Sequence, residues 1–572
     1  MCGIVAIAKR GRNNILYDLE YSMRVLSYRG YDSHGCLLVW DDEFRDCYRA
    51  IGEISDDFIE KMADEVRFSS MEHERFWFAV GHTRWATHGP VDLSHAHPVV
   101  SEYGGIILVH NGTYTKTVNG FDSLAIANEL ETLFDNVFLR QMNKDLVSNS
   151  VLIRELKSYI KNINGDNAVV FSNFRFPRCL FAFTTGNQKL FRCKNVIASE
   201  PLTKNDQWKP IDGLTILTVN EKRDSDYVEF SDKLIINTMF DEICEQPEIV
   251  RNFKLPEYTL PSKCIFDTSS DDYSDYTFVG CGSSYIAAMM GTTIISDYVN
   301  RPKVVHAAEF ALTPHSPAKT IGITQSGETH DMRKINMQCL ITNNPQSSIL
   351  NKWIQLVNLN LSKEMAVAAT KTFMATALTV AGMLKPNRLR GLDDLATLLE
   401  RSILIRQTTN YKNLVNLLSD KPNALILGSY RDYPIAMEGA LKLKEVAGIH
   451  AEAMSSSEMK HGPIALIDKN MPVIFLLTDI FHGELNSVLR SNTVAHIMEV
   501  KSRGGIPVQI GPQAITESDR TTSIVTPIIK NDNGFMQALS HVVILQMLSY
   551  DVAEKKGLNP NRPRNLAKCV TV

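Results

Sequence analysis

The ten cysteines of this 572-residue chain form no C-x-x-C pair and follow no regular spacing. Neither a disulfide framework nor a thiolate metal site is indicated, and a reducing compartment is expected. Long apolar runs are missing too: nothing approaches the roughly 18 uninterrupted apolar residues of a membrane span. The short apolar run at residues 4–8 carries its charges after it rather than before it, unlike a secretory signal. Neither sign of charge dominates, with 60 Lys+Arg against 64 Asp+Glu and a net charge of −4, so nothing asks for nucleic acid. Hydrophobic residues at 44% and charged residues at 22% describe an ordinary soluble globular chain. A cytoplasmic protein without cofactor or membrane contact is expected.

A chain this long exceeds one hydrophobic core, and about three or four folding units are expected. Residues 1–225 read as short β-like runs with frequent turns, at 76–81, 105–110, 167–172 and 214–219. With two helical stretches, one before Tyr28 and one over 122–137, they predict an antiparallel, sheet-rich domain. From 221 to 275 the chain turns polar and is broken by Pro247, Pro256 and Pro261, so a linker is expected at 226–255. Beyond it, apolar runs at 276–280, 303–305, 320–324 and 338–342 alternate with helical stretches, as in a parallel sheet flanked by helices. A displacement of 148 residues pairs Gly280 with Gly428, Tyr285 with Tyr433, Ala288 with Ala436, Met289 with Met437 and Gly291 with Gly439. Phe278 and Val279 then meet Ile426 and Leu427, so strand, turn and helix recur in order. Two similar α/β domains, 256–392 and 393–554, and a tail at 555–572 are expected.

Cys2 follows Met1, and a small second residue permits removal of that methionine, leaving a cysteine with a free α-amine. Such an amine titrates near pH ~8 and can take the thiol proton directly or through water, so nucleophile and base share one residue. Alone, Met-Cys reads more simply as a small apolar residue opening a strand. Three further segments shift that balance. In GHTRWATHG, residues 81–89, the Arg84 guanidinium suits bidentate capture of an amino-acid carboxylate. In VHNG, residues 109–112, the Asn111 side chain and the Gly112 N–H offer two oxyanion donors. Asp122 suits a substrate ammonium. His82, His88, His95 and His97 lie close together, but no carboxylate or thiolate joins them at a ligand spacing. They are read as shaping loops, and no metal is expected.

The turn GCGSSY, residues 280–285, ends a strand and opens a helix, and TQSGET, residues 324–329, is expected to do the same. Both fall where an open α/β sheet binds ligands, beyond the carboxyl ends of its strands. Helix-start N–H groups with Ser283, Ser284, Thr324, Ser326 and Thr329 can ring a phosphate, although either turn alone reads as a helix cap. In PIAMEGALKLKEVAG, Glu438, Lys442 and Glu445 fall on one helical stripe. That stripe alone describes an exposed ion-pair row. SSSEMKHGP adds His461 in a turn, and the chain closes with RPRNLAKCVTV.

MCGIV, SYRGYDS, HTRWATHG, HAHP and HNG together resemble the glutaminase domain of the N-terminal-nucleophile amidotransferases. The two turns, the acidic-basic stripe and the tail resemble the paired sugar-isomerase (SIS) domains of the glucosamine-6-phosphate synthases, so the likeness spans nearly the whole chain. It implies an α/β multidomain fold, with a four-layered αββα N-terminal-nucleophile hydrolase followed by two doubly wound, flavodoxin-like SIS domains. It implies Cys2 as nucleophile and base, Asn111 and Gly112 as the oxyanion hole, and Arg84, Trp85, Thr87, His97 and Asp122 around L-glutamine. Trp85 would also gate an ammonia passage. Around fructose 6-phosphate it implies Cys281, Gly282, Ser283, Ser284, Thr324, Gln325, Ser326, Thr329, Val367 and Ala567. Glu445 would move the proton between C1 and C2, with Lys442 supporting it. His461 would assist ring opening, and Lys568 would form a Schiff base with the open-chain ketone. The implied products are glucosamine 6-phosphate and glutamate. The implied assembly is a homodimer whose sugar site takes its histidine from the neighbouring subunit, with Leu566, Val570 and Val572 packing the tail between the halves. Departures from the family pattern are the short segment between Gly112 and Asp122, Leu124 in place of an acid, and Ala369 in place of a serine. No S-G-G-x-D-S loop of an asparagine synthetase is present, nor the acidic run of a phosphoribosyl-transferring relative.

Overall fold

The computed structural model describes residues 2–11, 14–40, 44–65, 76–86, 90–118, 121–141, 149–203, 207–218, 238–255, 272–296, 299–312, 319–478, 484–512, 522–528 and 534–569. They belong to two compact units, Met1–Ile236 and Asn237–Val572.

In the first unit, one sheet of seven strands and one of five lie face to face. Every strand pair in them is antiparallel. Strand Gly3–Gly11 shows how sequence sets this layering, because successive side chains leave opposite faces of a sheet. Ile4 and Ala6 meet Val109, Val170 and Ala182 of the other sheet. Val5 and Ile7 meet Leu19 and Met23 of helix Asn14–Leu26. On the far side, Leu108, Phe171 and Phe181 pack on Ile126, Leu130 and Phe134 of helix Asp122–Gln141 and on Leu156 of helix Asn149–Asn162. The order is therefore helix, sheet, sheet, helix. The two expected helices are present, and Phe58–Glu65 and Asn149–Asn162 are additional.

The second unit holds two five-stranded parallel sheets. With strands numbered along the chain within each sheet, both have the order 2-1-3-4-5, the flavodoxin-like arrangement. The first strands, Tyr276–Gly280 and Asn423–Gly428, each lead into a helix, Gly282–Thr292 and Asp432–Glu445. The displacement read from the sequence thus pairs equivalent elements. A single apolar core runs through both sheets.

The structure corrects the expectation for TQSGET. The turn after strand Lys319–Ile323 opens no α-helix but a short 3-10 helix, His330–Lys334. Between that strand and the next, Cys339–Thr342, this 3-10 helix is the one helical element. Within the stretch expected as linker, helices Met239–Cys244 and Gln246–Arg251 bury Met239, Ile243 and Val250 in the core of the second unit. Among the described residues no helix is long and apolar enough to cross a membrane.

Candidate functional site

Cys2 lies just before the first strand, beside the end of strand Phe76–Arg84, because Gly3 pairs with Thr83. Its Sγ accepts the Trp85 N–H at 3.2 Å and lies 3.4 Å from the Trp85 carbonyl oxygen. The Cys2 carbonyl accepts from Asn111 Nδ2 at 2.8 Å and from Arg29 Nε at 2.9 Å. Arg29 in turn is ion-paired with Glu200. Thus the sequence-distant SYRG, HTRW and HNG segments converge on one residue, Cys2.

Asn111 Nδ2 also donates to Ser199 Oγ at 3.1 Å. Both of its amide hydrogens are therefore engaged, and one must be released before Asn111 can serve an oxyanion. Its Oδ1 is met by His82 Nε2 at 3.0 Å, and the same nitrogen faces the His110 carbonyl at 3.1 Å. Both partners accept, so the His82 proton sits on Nε2. Burial pushes His82 down to about 3, and it remains a neutral donor. Gly112 has φ +133, and a Cβ there would stand 1.8 Å from the Asp166 carbonyl oxygen, so only glycine fits.

Arg84 is buried with Nη1 on the Pro90 carbonyl at 3.1 Å, its guanidinium 5.8 Å from the Phe121 ring centre. Burial lowers its pKa, while Cys2, Asp32, Asp122 and Asp92 oppose that shift. Asp122 opens helix Asp122–Gln141 and accepts the Tyr114 N–H at 3.2 Å and the Ser123 N–H at 2.8 Å. His97 is buried, with Nε2 on Ser123 Oγ at 3.0 Å and its ring 4.1 Å from that of His82, so it braces the wall behind Asp122. Trp85 meets Tyr31 edge to face at 5.9 Å. Thr87 lies outside the described residues, as does His88.

A second cluster lies in the other unit. Helix Asp432–Glu445 carries Lys442, whose Nζ reaches Glu438 Oε1 at 3.3 Å, Glu445 Oε2 at 2.5 Å and Ser283 Oγ at 3.1 Å. Ser283 Oγ donates to Glu438 Oε1 at 3.0 Å. The stripe is thus no exposed ion-pair row, since the Lys442 and Glu438 side chains are 0% and 1% exposed. Burial pushes Glu438 up to about 7. Burial alone would lower Lys442, but Glu438 and Glu445 outweigh it and raise its pKa. Glu445, 22% exposed, is the member open to a substrate.

The two turns read as phosphate binders differ in detail. Gly282 has φ +52 and open space where a Cβ would stand, and Cys281 precedes it. The Ser284 N–H is spent on the Cys281 carbonyl at 3.1 Å, which leaves Ser284 its hydroxyl for an anion. In the other turn Thr324 Oγ1 lies 2.7 Å from Thr329 Oγ1 and 3.4 Å from Ser326 Oγ. The Gln325 carbonyl accepts from Thr342 Oγ1 at 3.2 Å. Ser326 Oγ meets Cys569 Sγ at 2.9 Å, so the tail is drawn onto this turn. The tail is held again where the Val367 N–H donates to the Asn561 carbonyl at 3.0 Å. Ala567 and Lys568 lie between these anchors and are partly exposed. Leu566 is partly buried, whereas Val570 and Val572 lie outside the described residues. His461 stands exposed at the end of a 3-10 turn, Glu458–His461.

Sequence reasoning missed the partner of Lys568. Its Nζ lies 2.5 Å from Glu364 Oε2, and Glu364 is fully buried, accepting further bonds from Thr370 and Thr372. Burial would raise Glu364, but Lys568 and these donors hold its pKa down. Glu242 lies close by and is pushed up by burial and by the charge of Glu364. The available signal was a single acid preceding the small, apolar run 365–369.

A family model for the SIS domain matches residues 417–554. The chain is 31% identical over 637 aligned positions to the glutamine–fructose-6-phosphate aminotransferase (isomerizing) of Buchnera aphidicola, covering all of both chains. It is 30% identical over 627 positions to the enzyme of that name from Sulfolobus acidocaldarius, again covering both completely. The chain belongs to the glutamine–fructose-6-phosphate aminotransferase (isomerizing) family. A solved C-terminal domain of the Francisella tularensis glucosamine-fructose-6-phosphate aminotransferase superposes with a TM-score of 0.48 at 29% identity, covering 56% of this chain and 97% of that one.

Proposed function

We propose that this chain transfers the amide nitrogen of L-glutamine to D-fructose 6-phosphate, yielding D-glucosamine 6-phosphate and L-glutamate, the committing step of amino-sugar synthesis. The carrying observation is full-length family membership in a chain that has both a thiol-centred and a lysine-centred cluster. The first unit is then an N-terminal-nucleophile hydrolase domain. Loss of Met1 frees the Cys2 amine, which takes the thiol proton as sulfur attacks the glutamine amide carbon. Asn111 Nδ2 and the Gly112 N–H stabilise the oxyanion, ammonia leaves, and water releases glutamate from the thioester. Arg84 binds the glutamine carboxylate, Asp122 its ammonium, and Thr87 and His97 complete the pocket. Trp85, bonded through its N–H to the thiol, closes the site and gates ammonia.

In the second unit the hydroxyls of Ser283, Ser284, Thr324, Ser326 and Thr329 bind the sugar phosphate, with Cys281, Gly282, Gln325, Val367 and Ala567 around it. Lys568 condenses with the open-chain ketone, losing water and forming an imine that ammonia displaces. Glu445 carries the proton from C1 to C2, and Lys442 stabilises the enediol-like charge. His461, supplied by the neighbouring subunit of a homodimer, assists ring opening. A cytoplasmic setting fits the nine described cysteines, none of which is in a disulfide. The test is purified full-length protein with glutamine and fructose 6-phosphate, followed for glucosamine 6-phosphate. Absence of product while glutamate still accumulates would overturn the assignment of the acceptor.

A further inference from the structure

Asp122 and Glu129 lie seven residues apart on helix Asp122–Gln141, which places them on one face about 10 Å apart along the axis. Tyr114 spans that interval. Its main-chain N–H donates to Asp122 Oδ2 at 3.2 Å, while its hydroxyl donates to Glu129 Oε2 at 2.8 Å. Glu129 gathers two more groups, the Tyr159 hydroxyl at 3.0 Å and Lys116 Nζ at 2.8 Å. Tyr159 belongs to helix Asn149–Asn162, and its ring meets Phe183 edge to face. Only nine residues separate Gly112 from Asp122, and the described ones are also tied near the two ends. The Thr113 N–H donates to the Asp166 carbonyl at 3.0 Å, and Val118 and Phe121 exchange main-chain bonds at 3.1 and 2.9 Å. Tyr114 is 6% exposed and Asp122 4%, so the bond between them is shielded from water, whereas the Glu129 side chain is 29% exposed.

We propose that Glu129 is a positioning residue for the α-amino group of glutamine. By holding the Tyr114 hydroxyl it sets the Tyr114 N–H on one carboxylate oxygen of Asp122. The Ser123 N–H holds the other oxygen at 2.8 Å, which fixes the rotation of the Asp122 carboxylate. A carboxylate fixed in this way presents its remaining lone pairs in one direction and loses little freedom when an ammonium arrives. Lys116 offsets the charge of Glu129, so the field at the ammonium site is set by Asp122. The proposal rests on the reading of Asp122 as the ammonium partner.

The test compares ammonia release from L-glutamine with release from 4-carbamoylbutanoate, which is glutamine without its α-amino group, each normalised to ammonia-dependent synthesis by the same preparation. In Glu129→Leu the ratio of kcat/KM for the two amides falls about tenfold, mainly through KM for glutamine, and in Tyr114→Phe about threefold. Glu129→Gln, which keeps an acceptor for Tyr114, restores most of the ratio. If Glu129→Leu lowers both amides equally, the residue only supports the fold and the proposal is overturned. Asp122→Asn separates the two levels of the argument. A ratio unchanged in Asp122→Asn removes the ammonium assignment and the proposal with it. A ratio lost there but kept in Glu129→Leu removes only the proposal.

Discussion

Around Cys2 the interior keeps its imidazoles neutral, with burial holding His82 at about 3 and His97 well below its usual range. Around the sugar-side residues the interior instead pairs amino groups with carboxyl groups, setting Glu438 and Glu445 beside Lys442, Glu245 beside Lys371, and Glu364 beside Lys568. The difference follows from what each site must do. Acyl transfer at a thiol needs fixed donors that hold their protons through the cycle, and a neutral His82 that orients Asn111 is such a donor. Isomerisation moves protons, so charged groups must be close at hand, and a buried ammonium persists only with a carboxylate beside it.

The sharpest way to break the comparison is Cys2→Ala. Glutamine-dependent synthesis should fall by about 10³-fold or more, while ammonia-dependent synthesis survives, because the lysine-centred cluster is intact. Product assays with each nitrogen source decide it, and equal loss with both would show that the two chemistries are not separable.

Next in size is Glu364→Gln. The amide nearly preserves shape but removes the carboxylate bonded to Lys568 and leaves only Glu242, whose pKa is raised, nearby, which should destabilise the second unit by about 3 kcal/mol. Synthesis should fall about a hundredfold with either nitrogen source, since Lys568 serves both, assuming it is the imine-forming lysine. Melting curves together with ammonia-driven turnover check this. A variant with full turnover would show that Glu364 is only structural.

A pH series sharpens the contrast without mutation. Between about 6.5 and 3 the unfolded chain binds a proton at His82 that the folded unit refuses, so the first unit loses about 1.4 kcal/mol per pH unit per such imidazole as pH falls. Glu438 has the opposite sign. Its folded pKa of about 7 lies above the unfolded value, so its contribution is complete below about pH 4.5 and is lost as pH rises toward 7. Glu242, also raised, acts in the same sense. From pH 7 to 5 the first unit should therefore weaken relative to the second. Four of the five tryptophans, Trp40, Trp77, Trp85 and Trp208, lie in the first unit. Tryptophan fluorescence should accordingly report melting at pH 5 before far-ultraviolet circular dichroism does, and coincident curves would refute the asymmetry.

Legibility in the sequence divides along physical lines. The strand-turn-helix recurrence at 280 and 428 and the stripe of Glu438, Lys442 and Glu445 depend on local order and periodicity, and each could be read directly. The bond of Lys568 to Glu364 could not, since 204 residues separate the partners and no periodic pattern links them. The same applies to the grip of His82 and Ser199 on Asn111. TQSGET misled because a hydroxyl-rich turn after a strand does not fix the kind of helix that follows, and here Thr329 precedes the 3-10 helix without a side-chain capping bond.

The smallest effect expected is at Ala369, the position where the resemblance to the family implies a serine. Ala369 is partly exposed and sits between Val367 and Thr370, whose N–H donates to Glu364 Oε1 at 2.9 Å. A hydroxyl added there would lie near the group that holds Lys568 without adding much bulk. One further hydrogen bond to a sugar is worth about 1 kcal/mol, which corresponds to roughly fivefold in affinity. Ala369→Ser should therefore lower KM for fructose 6-phosphate by about that factor with kcat nearly constant, while the glutamine parameters stay put. Steady-state kinetics in both substrates test it. A change in the glutamine KM instead would mean that the charged half and the neutral half are coupled more tightly than their separate chemistries require.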